Sequence, residues 1–485
     1  MSDNKRWAKK RRSFFGSGLF SLSIEHFLAM FPATILVPRL INDAFDYYGT
    51  DVVDVALVLF TSGIGTLIFW FFQRTNRHGQ VKIPAYLGSS FAFIGITILL
   101  VLNQMNYAPT PRIAYAHVTW AYVFAGIILF LFSLLFRTFK NKKIRIDKVL
   151  SLLLPPAIVG PSISLIGLAL AGSAVENSGF SLTNGIEDAS AVKIAMITLA
   201  TVITITVIRI PLPKMLRNSA LAIGMTVGYV VAWIMSSEPL FMVGESLTEA
   251  QPLFRPTFLY FPPNFIHLAL SILPATILVS VENMMRTTVI INMDAGKDKN
   301  QSAVFIQSDL PYFRKSLRGH GVATAVAGFL GSVPNTLYAE NIAVMSINDT
   351  VQDSKKRDTL SWTPYICAAV YAIVVAIIIT FSNHARAVLL NIPNAVIGGV
   401  GFFLFGIVAA PGIQLLVDRR VDYKKVSSQV LTATVLIFGI SGVSFFGLSG
   451  MNLGLAAGFI LNCIFIICKK WFGNLGRVYT KSKTS

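Results

Sequence analysis

Stretches of about 20 apolar residues, the length that crosses the hydrocarbon core of a bilayer as a helix, recur from Phe14 to Cys468 with only short charged or Pro/Gly-rich breaks. Hydrophobic residues make up 54% of the 485-residue chain and charged residues 13%, and the mean hydropathy is +0.64. One soluble core cannot hide that much apolar surface. The pattern predicts a single all-α, polytopic membrane domain.

Cutting the apolar stretches at their charged and Pro/Gly-rich breaks gives fourteen expected segments. They lie near residues 14–38, 52–72, 84–102, 117–136, 149–171, 191–208, 219–235, 265–285, 319–333, 337–348, 363–381, 387–410, 427–447 and 451–468. With a cytoplasmic N-terminus, all but five of the 41 lysines and arginines fall on cytoplasmic segments, the exceptions being Arg39, Arg112, Lys193, Arg255 and Arg386. The positive-inside rule therefore supports the segment count and the orientation together. The basic start, Lys5 to Arg12, reads as a retained cytoplasmic anchor, and both termini are expected in the cytoplasm.

The net charge of +18 raises the question of nucleic acid. The basic residues sit in short loops on one face, however, and read as topology determinants that meet lipid headgroups. No nucleic-acid partner is expected. Cys367, Cys463 and Cys468 form neither a disulfide framework nor a metal motif, so no cofactor and no metal is expected.

The hexapeptide Pro-Ala-Thr-Ile-Leu-Val occurs at Pro32–Val37 and again at Pro274–Val279, and Leu154–Gly160 echoes Ile392–Gly398. Two stretches fit poorly as ordinary spanning helices: Pro84 to Phe93, with Gly88-Ser89-Ser90, and Pro334 to Ile347, with Asn335, Glu340 and Asn341. They read as broken helices at corresponding positions. A duplicated unit of seven spans must enter the membrane from opposite sides in its two copies, giving inverted repeats. The expected division is a tail at 1–13, repeats at 14–235 and 265–468 joined by an extracellular linker at 236–264, and a cytoplasmic tail at 469–485.

An ionisable group inside the bilayer costs roughly 2.5 to 3.5 kcal/mol or more, so each is a functional candidate. The candidates are Glu25, His26, Glu282, Arg286 and Glu340. Arg286 stands one helical turn from Glu282 on the same face, where the two can pair. Two carboxylates beside the free amides of broken helices suit the N–H edge of a flat, imide-like ring.

The run Gly331-Ser332-Val333-Pro334-Asn335-Thr336-Leu337-Tyr338-Ala339-Glu340-Asn341-Ile342-Ala343-Val344-Met345 resembles the signature of the nucleobase-ascorbate transporter (nucleobase:cation symporter) family, in its bacterial uracil/xanthine permease branch. His26 to Thr34, Tyr86 to Ala92, Leu154-Pro155-Pro156 and Ile397-Gly398-Gly399, followed by Val421 to Lys425, are similar to the same family. The resemblance implies a core of spans 1–4 and 8–11 moving against a gate of spans 5–7 and 12–14. It also implies import of uracil by proton symport, and a homodimer through the gates. By position, Glu282 and Glu340 would bond the base, Phe91 and Ala339 would offer backbone, His26 would organise the site, Tyr338 would contact the base, and Asn341 would join the charge network.

Arg286 stands where uracil permeases carry a histidine linked to coupling, Glu25 replaces a common glutamine, and Ala339 and Ala343 replace signature glycines. The downstream Thr-Arg pair has become Asn348-Asp349. A fixed cation does not titrate as histidine does, so the second reading is a same-fold carrier of another base or of an anionic heterocycle, with altered or absent proton coupling. Glu25 and Arg286 are expected as a compensating pair.

An enzyme is not expected. Gly447-Leu448-Ser449-Gly450 matches a rhomboid-like serine motif, but no histidine follows His384 to serve as base, and no His-Glu-x-x-His motif occurs.

Overall fold

The structure is a computed structural model, and it describes residues 19–74, 83–138, 146–180, 189–210, 214–236, 257–294, 310–347 and 362–481. The expected N-terminal tail, the greater part of the 236–264 linker and the Asn348-Asp349 pair lie outside the described residues.

The first half of the chain contains α1 (Leu19–Asp43), α2 (Val55–Arg74), β1 (Leu87–Ser89), α3 (Ile94–Gln104), α4 (Pro111–Thr138), α5 (Ile146–Leu153), α6 (Pro156–Leu168), α7 (Ala171–Asn177), α8 (Ala189–Arg209), α9 (Lys214–Asn218) and α10 (Ala220–Met235). The second half contains α11 (Phe265–Asp294), α12 (Leu310–Phe329), β2 (Asn335–Leu337), α13 (Ala339–Ile347), α14 (Thr363–Phe381), α15 (Asn383–Leu390), α16 (Asn394–Asp418), α17 (Val426–Ile440), β3 (Ser444–Phe445), β4 (Leu448–Ser449) and α18 (Gly450–Lys481). Among the described residues nine helices are long and apolar enough to cross a membrane, and three shorter apolar helices accompany them.

Small residues let these helices approach closely. α12 lies along α4, where Gly126 faces Gly321 and Gly328 meets Thr119 and Val123. α16 lies along α6, where Gly160 and Gly412 meet backbone to backbone. The two copies of the repeated hexapeptide share one local geometry: Thr34 donates to the Met30 carbonyl and Thr276 to the Ile272 carbonyl, each at 2.9 Å. Each threonine thus answers a carbonyl near the proline, which interrupts the helical ladder.

The two broken segments meet. β1 and β2 pair antiparallel, with Leu87 opposite Leu337, Gly88 opposite Thr336 and Ser89 opposite Asn335. The ribbon continues through Ser90 N–H to Pro334 O at 2.9 Å and Tyr338 N–H to Tyr86 O at 3.0 Å. β1 leads through a turn at Phe91–Phe93 into α3, and β2 leads directly into α13. The ribbon is fully buried.

Boundaries differ from the expectation at several places: α12 starts at Leu310 rather than near 319, and the segment expected at 149–171 is interrupted at Pro155. The segment expected at 387–410 is two helices, because Pro393 lacks an N–H and restarts the chain as the N-cap of α16. The segment expected to reach 447 stops at Ile440, where Gly442 takes a positive φ of 70° and the chain turns into β3. The tail expected from 469 begins inside α18, which runs on to Lys481 because lysine ends an apolar stretch without ending a helix.

Candidate functional site

The site is assembled from elements far apart in sequence. Glu282 and Arg286 project from α11, Ser90 and Phe91 follow β1, Thr336 lies on β2, Tyr338 and Glu340 open α13, and Ile166 of α6 and Val408 of α16 close the far side. Together they line a recess of about 290 Å³ including its open mouth. It is a narrow slot.

The two glutamates expected to meet do share this slot, and they act on one another electrostatically. Glu282 is 6% exposed, and its Oε1 accepts from Arg286 Nη2 at 2.5 Å. Arg286 Nη1 is buried with no hydrogen-bond partner among the described residues. Arg209, in the last turn of α8, also lies within electrostatic reach of Glu340. Glu340 therefore lies within electrostatic reach of two guanidinium groups, those of Arg286 and Arg209.

Supporting contacts hold the ribbon and the α11 register. Tyr338 rests on Gly88, where any Cβ would enter its ring. Its hydroxyl donates to the Ser89 carbonyl at 3.0 Å and lies 3.3 Å from Thr34 Oγ1. His320 of α12 bridges Asn283 Nδ2, at 2.9 Å, to the Asn335 carbonyl, at 2.6 Å. Asn283 Oδ1 in turn accepts from Ser316 at 2.6 Å.

Not every expected residue reaches the slot. His26 lies behind it, its carbonyl accepting from Asn341 Nδ2 at 2.9 Å and its ring against Tyr365 with centroids 4.2 Å apart. Asn341 also lies 3.1 Å from His26 Nδ1, so the pair anchors α13 to α1. Ala339 separates two lining residues without lining the slot itself. Glu25 is not the partner of Arg286. It accepts from Asn218 at 3.0 Å, because α9 brings an amide to the start of α1 while the shorter one-turn path joins Arg286 to Glu282.

Sequence reasoning passed over Ser90, Thr336, His320 and Arg209. The first two are small hydroxyl residues with no charge to mark them, Arg209 stands at a helix end where basic residues are ordinary, and His320 lies mid-helix behind a charged first half.

The family model described as the permease family matches residues 17–448. The chain belongs to that family. Across 93% of its length the permease is 32% identical to the uracil permease of Paenibacillus larvae, covering 94% of that protein. It is 31% identical over 92% of its length to the uracil permease of Escherichia coli K12, covering 90% of it. Its fold is similar to the transmembrane domain of the cyanobacterial bicarbonate transporter BicA, with a TM-score of 0.55 at 11% identity over 92% of the permease and 96% of that domain. It is also similar to SLC26A9, with a TM-score of 0.58 at 12% identity over 93% of the permease. The permease spans 65% of the SLC26A9 chain. The permease is a multi-pass membrane transport protein rather than an enzyme.

Proposed function

We propose that the permease carries a pyrimidine nucleobase, uracil foremost, into a bacterial cell across the inner membrane. The observation that carries this reading is the shared slot of Glu282 and Glu340 at the meeting of two broken helices. Two carboxylates accept the ring N–H groups of a neutral base. The relatives named uracil permease supply the substrate.

The transport cycle in this reading is alternating access. Spans 1–4 and 8–11, as a core, carry the ribbon and both glutamates, while spans 5–7 and 12–14, as a gate, supply Ile166, Val408 and Arg209. The underlying architecture is fourteen segments in two inverted repeats of seven, spanning 14–235 and 265–468, with both termini cytoplasmic. The ribbon supports it: Gly88 and Thr336 pair directly at a separation of 248 residues, close to the 242 and 238 that separate the two sequence echoes. An antiparallel pair centred on corresponding residues is what a twofold axis in the membrane plane generates. Pairing of two gates into a homodimer completes the proposal.

The coupling ion in this reading is the proton. The Arg286–Glu282 contact favours a second version, in which the guanidinium supplies the positive charge a proton would bring and neutral base crosses without coupling. Radiolabelled uptake into proteoliposomes, across a panel of bases with and without a pH gradient, tests both. Uracil uptake raised by an inward proton gradient supports symport, gradient-independent uptake supports the second version, and no uptake of any base refutes the nucleobase reading.

A further inference from the structure

Two buried hydroxyls in the slot have no partner among the described residues. Ser90 Oγ and Thr336 Oγ1 belong to side chains 1% and 4% exposed, and neither makes a hydrogen bond among the described residues. Such groups are uncommon in folded proteins and each calls for a physical reason.

The register of the ribbon supplies one. Side chains alternate faces along a strand, and directly opposed residues share a face. Gly88 opposes Thr336, and Ser90 opposes Pro334 through its N–H bond. Ser90, Thr336 and Tyr338 therefore point to one face, the slot, whereas Ser89 and Asn335 point to the other. There Ser89 Oγ bonds the Thr34 carbonyl at 3.1 Å. On the slot side the hydroxyls of Ser90 and Thr336 are thus left unpartnered among the described residues, while Ser89 Oγ on the other side is bonded. The absence of a side chain at Gly88 leaves the space beside Thr336 to the Tyr338 ring alone.

We propose that Ser90 and Thr336 are specificity-determining residues, each donating its hydroxyl to one of the two ring carbonyls of a dioxopyrimidine. The assignment rests on the nucleobase reading above and deepens it. The carboxylates of Glu282 and Glu340 only accept, so they take the ring N–H groups. The hydroxyls are then the side-chain donors opposite the carbonyl oxygens, and Arg286 Nη1, which is also unpartnered, adds a donor that cannot reverse its role. A ring that alternates C=O and N–H matches this arrangement, and replacing either oxygen by sulfur, a poor acceptor, weakens one contact at a time.

The test measures equilibrium binding of uracil, 2-thiouracil and 4-thiouracil to purified full-length protein, for wild type, Ser90→Ala, Thr336→Val and Thr336→Ser. Wild type is expected to prefer uracil to each thio analogue by about 3- to 10-fold, the value of one hydrogen bond. Ser90→Ala should abolish the preference against one isomer and Thr336→Val against the other, and Thr336→Ser should restore it. This crossed pattern is a set of double-mutant cycles between protein and ligand, which general loosening of the slot does not produce. Retention of both preferences in both variants, or no preference in wild type that binds uracil, overturns the assignment. Failure of wild type to bind any pyrimidine overturns the nucleobase reading itself, and the assignment with it.

Discussion

His320 holds the crossing ribbon from behind: its Nε2 donates to the Asn335 carbonyl at 2.6 Å while its Nδ1 accepts from the Asn283 amide at 2.9 Å. That pattern requires the neutral ring, protonated at Nε2. Asn283 directly follows Glu282, so one imidazole fixes the height of a strand and the register of the helix that presents a site carboxylate. His320→Ala leaves Asn283 and Asn335 with unmet buried groups, at about 1–3 kcal/mol each. The expected result is a lower melting temperature in detergent together with weaker uracil binding. Unchanged binding by a folded variant would show that Glu282 does not depend on this support.

Gly88 is the position where the ribbon admits no side chain. Gly88→Ala drives a methyl group into the Tyr338 ring, an overpacking cost of about 1–3 kcal/mol. Tyr338→Phe keeps the ring and loses only the hydroxyl contacts, so it should retain most transport while Gly88→Ala loses it. Uptake assays on both variants, at matched membrane abundance, check the order.

Arg286 and Glu282 form a pair screened from water, with side chains 14% and 7% exposed. Removing one member leaves an uncompensated charge, so Arg286→Gln should destabilise the protein by about 3–5 kcal/mol, and Glu282→Gln on that background should recover much of the loss. Transport should not recover, because the recognition carboxylate is gone. Thermal melts and uptake on the same preparations separate the two effects.

Arg286→His replaces a permanent charge by one that titrates near neutrality. If the guanidinium substitutes for a coupling proton, uptake by this variant gains a dependence on the pH gradient that wild type lacks. Uptake at fixed internal pH and varied external pH measures it.

Arg39 joins α1 to the other side of the slot at the end away from Glu25. Its Nη1 donates to the Leu390 carbonyl at 3.0 Å and its Nη2 to Asn394 at 3.3 Å. Arg39→Gln should change the maximal uptake rate with little effect on uracil affinity, since none of these groups lines the slot. A shift in affinity of the same size as the shift in rate would argue against a purely mechanical role.

The membrane class, the helices and the two glutamates were legible because hydropathy is a property of runs, and a charge inside a run is conspicuous. Gly88-Ser89-Ser90 and Pro334-Asn335 announced the breaks, since neither stretch holds a helix. The pairing of Leu87 with Leu337 was not legible, because strand register depends on residues some 250 apart. Nor was His320, which follows Arg314, Lys315 and Arg318 on a helix whose charged start hides its buried second half. Glu25 was assigned to Arg286 by charge alone, whereas helix packing placed an uncharged amide, Asn218, nearer.

Because β1 comes from one half of the chain and β2 from the other, each half alone would present an open strand edge within the lipid. Neither could stably occupy a bilayer by itself, since hydrocarbon offers no substitute for the missing backbone partner.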